Sequence, residues 1–181
     1  TKFSQTLLDA DKAYEATVLL GVTTTTADAE GEVLARSPVD VSDAALEAAM
    51  ARLRGDIEQV PPMYSALKHH GKALYEYARE GVEIPREPRQ VSIRRFECLS
   101  RDGDSLVVRV ECSKGTYVRT LASDLGAFLG CGAHLTALRR TRIGPFDLSG
   151  SVTLADFEAL PAEARESRLA PVDALLAHLP R

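Results

Sequence analysis

No apolar run in the 181 residues approaches the ~20 that a membrane-spanning helix requires. The opening residues also lack the charged-then-apolar pattern of a secretory signal. Cysteine is scarce: Cys98, Cys112 and Cys131 are an odd number without Cys-x-x-Cys spacing. That argues against a zinc ribbon or a disulfide framework and fits a reducing, cytoplasmic setting. The Gly-x4-Gly-Lys-Ser/Thr spacing of a phosphate-binding P-loop is missing. No Ser/His/Asp or Cys/His set has supporting spacing, and the four histidines join no metal-ligating cluster. Internal repeats and low-complexity stretches are absent too. No metal site is expected, and no membrane partner.

What the chain does contain is 45% hydrophobic and 27% charged residues, the composition of a globular domain able to bury a core. The formal charge of −4 argues weakly against a nucleic-acid partner, but it is unevenly spread. Residues 1–60 hold 5 basic and 11 acidic side chains, residues 61–150 hold 14 and 10, and residues 151–181 hold 3 and 5. The central region therefore carries most of the cations, and phosphate binding needs only a local positive surface within ~8–10 Å. A set of solvated faces explains the same counts. Thr1 stands where an initiator Met would, and a trimmed start is expected.

Periodicity predicts interspersed strands and helices. Ala13 to Leu20 alternates and carries β-branched residues, as a strand does. Thr23 to Gly31 reads as a loop, followed by a short returning strand at Val33-Leu34. Ser42 caps a helix from Asp43 to about Arg54, stopped by Gly55. Gly71 and Gly81 frame a second helix. Val91 to Leu99 and Leu106 to Cys112 form a hairpin about Asp102-Gly103. Thr116 to Leu129 is an amphipathic helix closed by Gly130, and Ala133 to Ile143 a further strand. Short helices are expected at Leu154–Leu160 and Pro171–Leu179. Hairpins imply antiparallel pairing, so the class is α+β.

The stretch Ser113 to Thr120 (SKGTYVRT) leaves a strand and opens a helix, where backbone N–H groups favour anions. Tyr117 offers a ring and a hydroxyl, and Arg119 a rigid fork for a carboxylate or phosphate. Read alone, Arg119 could equally pair with a surface acid. Asp28 lies in a hydroxyl-rich loop where an Asp commonly forms turns. Tyr14 sits on the first strand, facing either core or pocket. Taken singly, each has a structural explanation.

Together these residues resemble a known family. TKFSQTLLDADKAY (1–14), TADAEG (26–31), LRGDIEQVPPMYSALKHHGKALYEYAREG (53–81), SKGTYVRTLASDLG (113–126) and CGAHLTALRRTRIGPF (131–146) resemble bacterial tRNA pseudouridine synthase B. That family makes pseudouridine 55 in the tRNA T loop without metal or cofactor. The resemblance implies a mixed, largely antiparallel sheet flanked by helices. It implies that residues 1–150 are the later part of the catalytic domain and 151–181 a helical extension of it, with the PUA RNA-binding domain of many members absent. It implies a cytoplasmic monomer whose partner is the tRNA T stem-loop. By resemblance Tyr14 stacks on the target base, Arg119 pairs with the nucleophilic Asp, and Asp28 is a second carboxylate on that arginine. Tyr117 and Leu138 line the uridine pocket, and Lys2, Lys68 and Arg140 contact phosphates. The family's nucleophile lies in a Gly-Thr-Leu-Asp-Pro motif, which these 181 residues do not contain. The chain by itself is therefore expected to be inactive, and a non-catalytic RNA-binding module is the alternative.

Overall fold

The computed structural model describes residues 7–169. Its centre is a six-stranded antiparallel sheet of β1 (Lys12–Leu20), β4 (Gly55–Gln59), β7 (Arg89–Asp102), β8 (Ser105–Cys112), β9 (Ala133–Ile143) and β10 (Phe146–Asp147). The strand order is β10-β9-β1-β8-β7-β4. Two small hairpins stand apart: β2 (Val22–Thr24) with β3 (Val33–Arg36), and β5 (Lys68–His69) with β6 (Lys72–Ala73). The helices are α1 (Asp43–Arg52), α2 (Leu74–Arg79), α3 (Val118–Leu129), α4 (Leu154–Ala159) and α5 (Ala162–Glu166). The α+β class read from the sequence is the one observed.

One face of the sheet carries the core. Alternation on β1 and β8 sends Ala16, Val18 and Leu20, with Leu106, Val108 and Val110, toward α1 and α3. From α3, Leu121 and Leu125 are fully buried against them. Burying each such leucine contributes ~1.5–3 kcal/mol. The stripe Val118, Leu121, Ala122, Leu125 repeats at the helical period, and Gly130 closes α3 with φ +76. Gly126 lets α3 lie almost on the sheet. A Cβ there would stand 2.2 Å from the Ala133 nitrogen and 2.3 Å from the Gly132 carbonyl carbon.

The opposite face is solvated and charged. Glu97, Arg109, Glu15 and Arg139 stand opposite one another across β7, β8, β1 and β9, an alternating row of signs. One row further on, Glu111 forms ion pairs with Arg95 (3.4 Å) and Arg142 (3.0 Å), accepting a hydrogen bond from the latter.

Several elements differ from the sequence expectation. α1 stops at Arg52, and Gly55 begins a strand instead of only ending the helix. β4 reads GDIEQ, with charges suited to an edge, so it shows no core-facing alternation. Pairing with β4 extends β7 back to Arg89. Thr23 and Thr24 belong to β2, because they pair with Ala35 and Val33. The Gly71–Gly81 span is a hairpin plus a six-residue helix. The turn His70-Gly71 has positive φ at both residues, as a two-residue hairpin favours. The predicted hairpin at Asp102-Gly103 forms, with Gly103 at φ +57. α5 was not anticipated. The helix expected over Pro171–Leu179 lies outside the described residues.

Asp124 sits on α3 between Leu121 and Leu125, and among the described residues it accepts no hydrogen bond. Burial pushes its carboxyl above the usual carboxylate range. The folded chain therefore binds this proton more tightly than the unfolded chain does. Stability falls as pH rises from the ordinary ~3.9 through the raised value, and the penalty is complete above it. Asp124→Asn is expected to raise Tm at pH 7 and to give no gain near pH 3. Thermal scans at the two pH values check this, and an equal or lower Tm at pH 7 would contradict it.

Candidate active site

Asp28 is placed by its loop. The Ala27 N–H donates to the Thr24 carbonyl (3.2 Å), and the Thr24 hydroxyl donates to the Asp28 carbonyl (2.7 Å). Thr26 donates its hydroxyl to Oδ1 at 2.5 Å, and the Glu30 N–H reaches the same oxygen at 3.2 Å. Ala27 is held at φ +58, a left-handed conformation that only a fixed environment imposes on a non-glycine residue. That environment is β9: the Leu135 N–H donates to the Ala27 carbonyl at 3.0 Å. A side chain at position 31 would collide with Thr26, so Gly31 lets the loop close. The hydroxyl-rich sequence thus serves to aim one carboxylate.

Arg119 meets it from the first turn of α3. Its Nη1 donates to Asp28 Oδ2 at 2.7 Å and Nη2 to the Tyr64 carbonyl at 2.7 Å, with a longer contact from Nη1 to the Thr26 carbonyl. The two side chains are about three-quarters buried (24% and 21% exposed). Burial pushes the Asp28 carboxyl up, but the hydrogen bonds from Thr26, Arg119 and the Glu30 N–H outweigh it and hold the group below its usual range. Asp28 is therefore ionised at neutral pH. Among the described residues the Nε–H of Arg119 makes no hydrogen bond.

Tyr14, Leu138 and Arg140 form a second group. Tyr14 stands opposite Arg140, and Ala16 opposite Leu138, so all four side chains share the helix-facing side of the sheet. Ala16 is buried, whereas Leu138 is 48% exposed, so the helices leave that stretch of β9 open. Two bulges in β9 make this alignment, one between Leu135 and Ala137 and one between Arg140 and Arg142. Burial pushes the Tyr14 hydroxyl above the ordinary tyrosine range; neighbouring Cys112 adds to this and Arg140 opposes it. β9 thus connects the groups: Leu135 holds the Asp28 loop, and Leu138 and Arg140 follow on the same strand.

Tyr117 is the N-cap residue of α3 and is half-buried. Lys68 stands exposed on the separate two-stranded β5–β6 hairpin. Lys2 lies outside the described residues. Two contributors escaped the sequence reading. Tyr64 acts through a carbonyl, which no side-chain pattern announces. Gln59 is 2% exposed and bonds Tyr117 twice: the Tyr117 N–H donates to Oε1 (2.8 Å), and Nε2 donates to the Tyr117 carbonyl (3.2 Å). A lone amide before Val60-Pro61-Pro62 was its only signal.

By fold, the chain is similar to a chain in the crystal structure of a Cbf5-Nop10-Gar1 complex, with TM-score 0.74 and 28% identity, covering 99% of this chain and 47% of that one. A structure of an H/ACA RNP bound to a substrate RNA containing 2'-deoxyuridine holds another similar chain, with TM-score 0.62 and 25% identity. That match covers 92% of this chain and 42% of the other. By sequence, the family model for the TruB family pseudouridylate synthase N-terminal domain matches residues 1–118. The model for the tRNA pseudouridylate synthase B C-terminal domain matches residues 119–177. The chain belongs to the TruB family of pseudouridylate synthases. Relatives named tRNA pseudouridine synthase B are 66% identical in Aromatoleum aromaticum and 62% identical in Chromobacterium violaceum, each over 181 residues. All of this chain is matched in both cases, and it spans 59% of each relative's length.

Proposed function

We propose that the chain is part of a tRNA pseudouridine synthase that isomerises uridine 55 of the T loop. Residues 1–150 are the later part of its catalytic domain and 151–181 a helical extension. The observation that carries the reading is the Arg119 guanidinium. Asp28 and the Tyr64 carbonyl fix its two terminal nitrogens, and among the described residues its Nε–H makes no hydrogen bond. A guanidinium held on one edge presents the other as a rigid fork for a second carboxylate. In a desolvated pocket that charge keeps a nucleophilic Asp ionised by lowering its pKa. The family places this Asp in a Gly-Thr-Leu-Asp-Pro motif, which residues 1–181 lack.

Uridine must leave its stack to react, and an aromatic ring offsets that cost; such a ring contributes ~1–3 kcal/mol per base. Tyr14 supplies it, and its raised pKa keeps the ring neutral as it stacks. Leu138 and Tyr117 wall the pocket, and Arg140, Lys68 and Lys2 meet phosphates. The N-glycosidic bond breaks, the base turns, and a bond from the sugar to C5 replaces it, while the C5 proton leaves and N1 takes up a proton. The enzyme acts as a cytoplasmic monomer. Among the described residues no helix is long and apolar enough to cross a membrane.

A T stem-loop RNA tests this. The full-length protein is expected to convert its position-55 uridine to pseudouridine, read by carbodiimide-dependent primer-extension stops, and the 181-residue chain to form none. Tight RNA binding without turnover by the full-length protein would favour the non-catalytic module. Turnover by the 181 residues alone would refute the missing-nucleophile reading.

A further inference from the structure

Gln59 ends β4 and is almost wholly buried, yet its side chain pairs with main chain 58 residues away. Its amide mimics a strand neighbour, donating to and accepting from the same residue, Tyr117. That residue has no side-chain cap of its own, and its carbonyl also accepts from the Leu121 N–H at 3.1 Å as α3 begins. Two residues on, Arg119 leaves the helix and donates to the Tyr64 carbonyl. Tyr64 in turn lies five residues after Gln59, across Val60-Pro61-Pro62-Met63, where two prolines remove most of the backbone freedom.

The contacts close a ring: Gln59 to Tyr117, along α3 to Arg119, across to Tyr64, and back through the proline segment. We propose that Gln59 is a positioning residue, which sets the direction of the Arg119 guanidinium by locking the start of α3 to the segment carrying Tyr64. Without the amide, the Arg119 contact is the one hydrogen bond left between α3 and the 60–64 segment among the described residues. The guanidinium would then have to follow whichever moves. Misplacement by ~1 Å can cost a reaction ~100-fold. The catalytic half of this inference rests on the function proposed above; the positional half does not.

Gln59→Met keeps the volume and removes both hydrogen bonds, whereas Gln59→Glu keeps the acceptor for the Tyr117 N–H. The experiment uses full-length protein with 15Nε-labelled arginine, and reads the Arg119 Nε–H signal, kcat and KM on the T stem-loop, and Tm. In Gln59→Met the Arg119 signal is expected to shift and lose protection from solvent exchange. Its kcat should fall ~10-fold to ~100-fold while KM stays within ~2-fold, and Gln59→Glu should recover part of both. Ile57→Ala, which loosens the same strand, should lower Tm and leave the Arg119 signal and kcat near wild type. An unchanged Arg119 signal in Gln59→Met, or an equal loss in Ile57→Ala, would overturn the proposal. If Gln59→Met does not fold, Gln59→Glu against Ile57→Ala decides by the same readouts. If the wild-type protein forms no pseudouridine, the function reading fails and the Arg119 signal still decides the positional claim.

Discussion

Arg119→Lys in the full-length protein is expected to lower kcat on the T stem-loop at least ~100-fold, with KM little changed. An ammonium is a point charge, able to reach the Asp28 carboxylate or the Tyr64 carbonyl but not to present a planar edge beyond them. The charge at the site would survive and its direction would not. Loss of one directed donor in a desolvated site typically costs ~100- to ~1000-fold in turnover. The loss should not be recovered by raising pH, since Asp28 is already ionised at neutrality. Single-turnover assays with saturating enzyme separate this effect from RNA binding, and turnover within ~3-fold of wild type would contradict the role.

The second large effect concerns stability. Gly126→Ala is expected to destabilise the chain by ~3 kcal/mol or more, although alanine is favoured in a helix by ~1 kcal/mol over glycine. The new methyl group would stand 2.2 Å from the Ala133 nitrogen and 2.3 Å from the Gly132 carbonyl carbon, and backbone cannot rotate aside as a side chain can. Lifting α3 from the sheet would also stretch the hydrogen bond that the Gly132 N–H donates to the Gly126 carbonyl, now 3.0 Å. Urea denaturation of Gly126→Ala beside Gly150→Ala measures this. A Cβ at Gly150 meets nothing within 4 Å, so that variant should stay near wild type. In a chain of this size ~1 kcal/mol is worth ~2–4 °C, so a fall in Tm of less than ~3 °C for Gly126→Ala would rule out the clash.

The strands and helices that carry the core were legible because burial writes a period into them. β1, β8 and α3 all show it. Edge elements were not, since β4 and the β5–β6 hairpin answer to solvent and carry Asp56, Glu58 and Lys68 where a core strand would carry valine. At the candidate site the reason is different. Asp28 and Arg119 drew attention as side chains, and only a resemblance joined them across 91 positions. The Tyr64 carbonyl and the Ala27 conformation belong to the backbone, which has the same atoms everywhere. Gln59 was visible as a letter, but its meaning depended on a partner 58 positions away.

The bulges in β9 make the strand a counting device. Leu135 and Leu138 are an odd number of residues apart, which on a regular strand would send them to opposite faces, yet both align with the core side of β1. Parity there is stored in chain length, not in residue identity. A substitution at Thr136 or Thr141 preserves the count, whereas deleting either one turns every later side chain over. Among homologous chains positions 136 and 141 should therefore drift in composition while the strand refuses single-residue insertions and deletions, and a frame of that kind holds Leu138 and Arg140 on the pocket side.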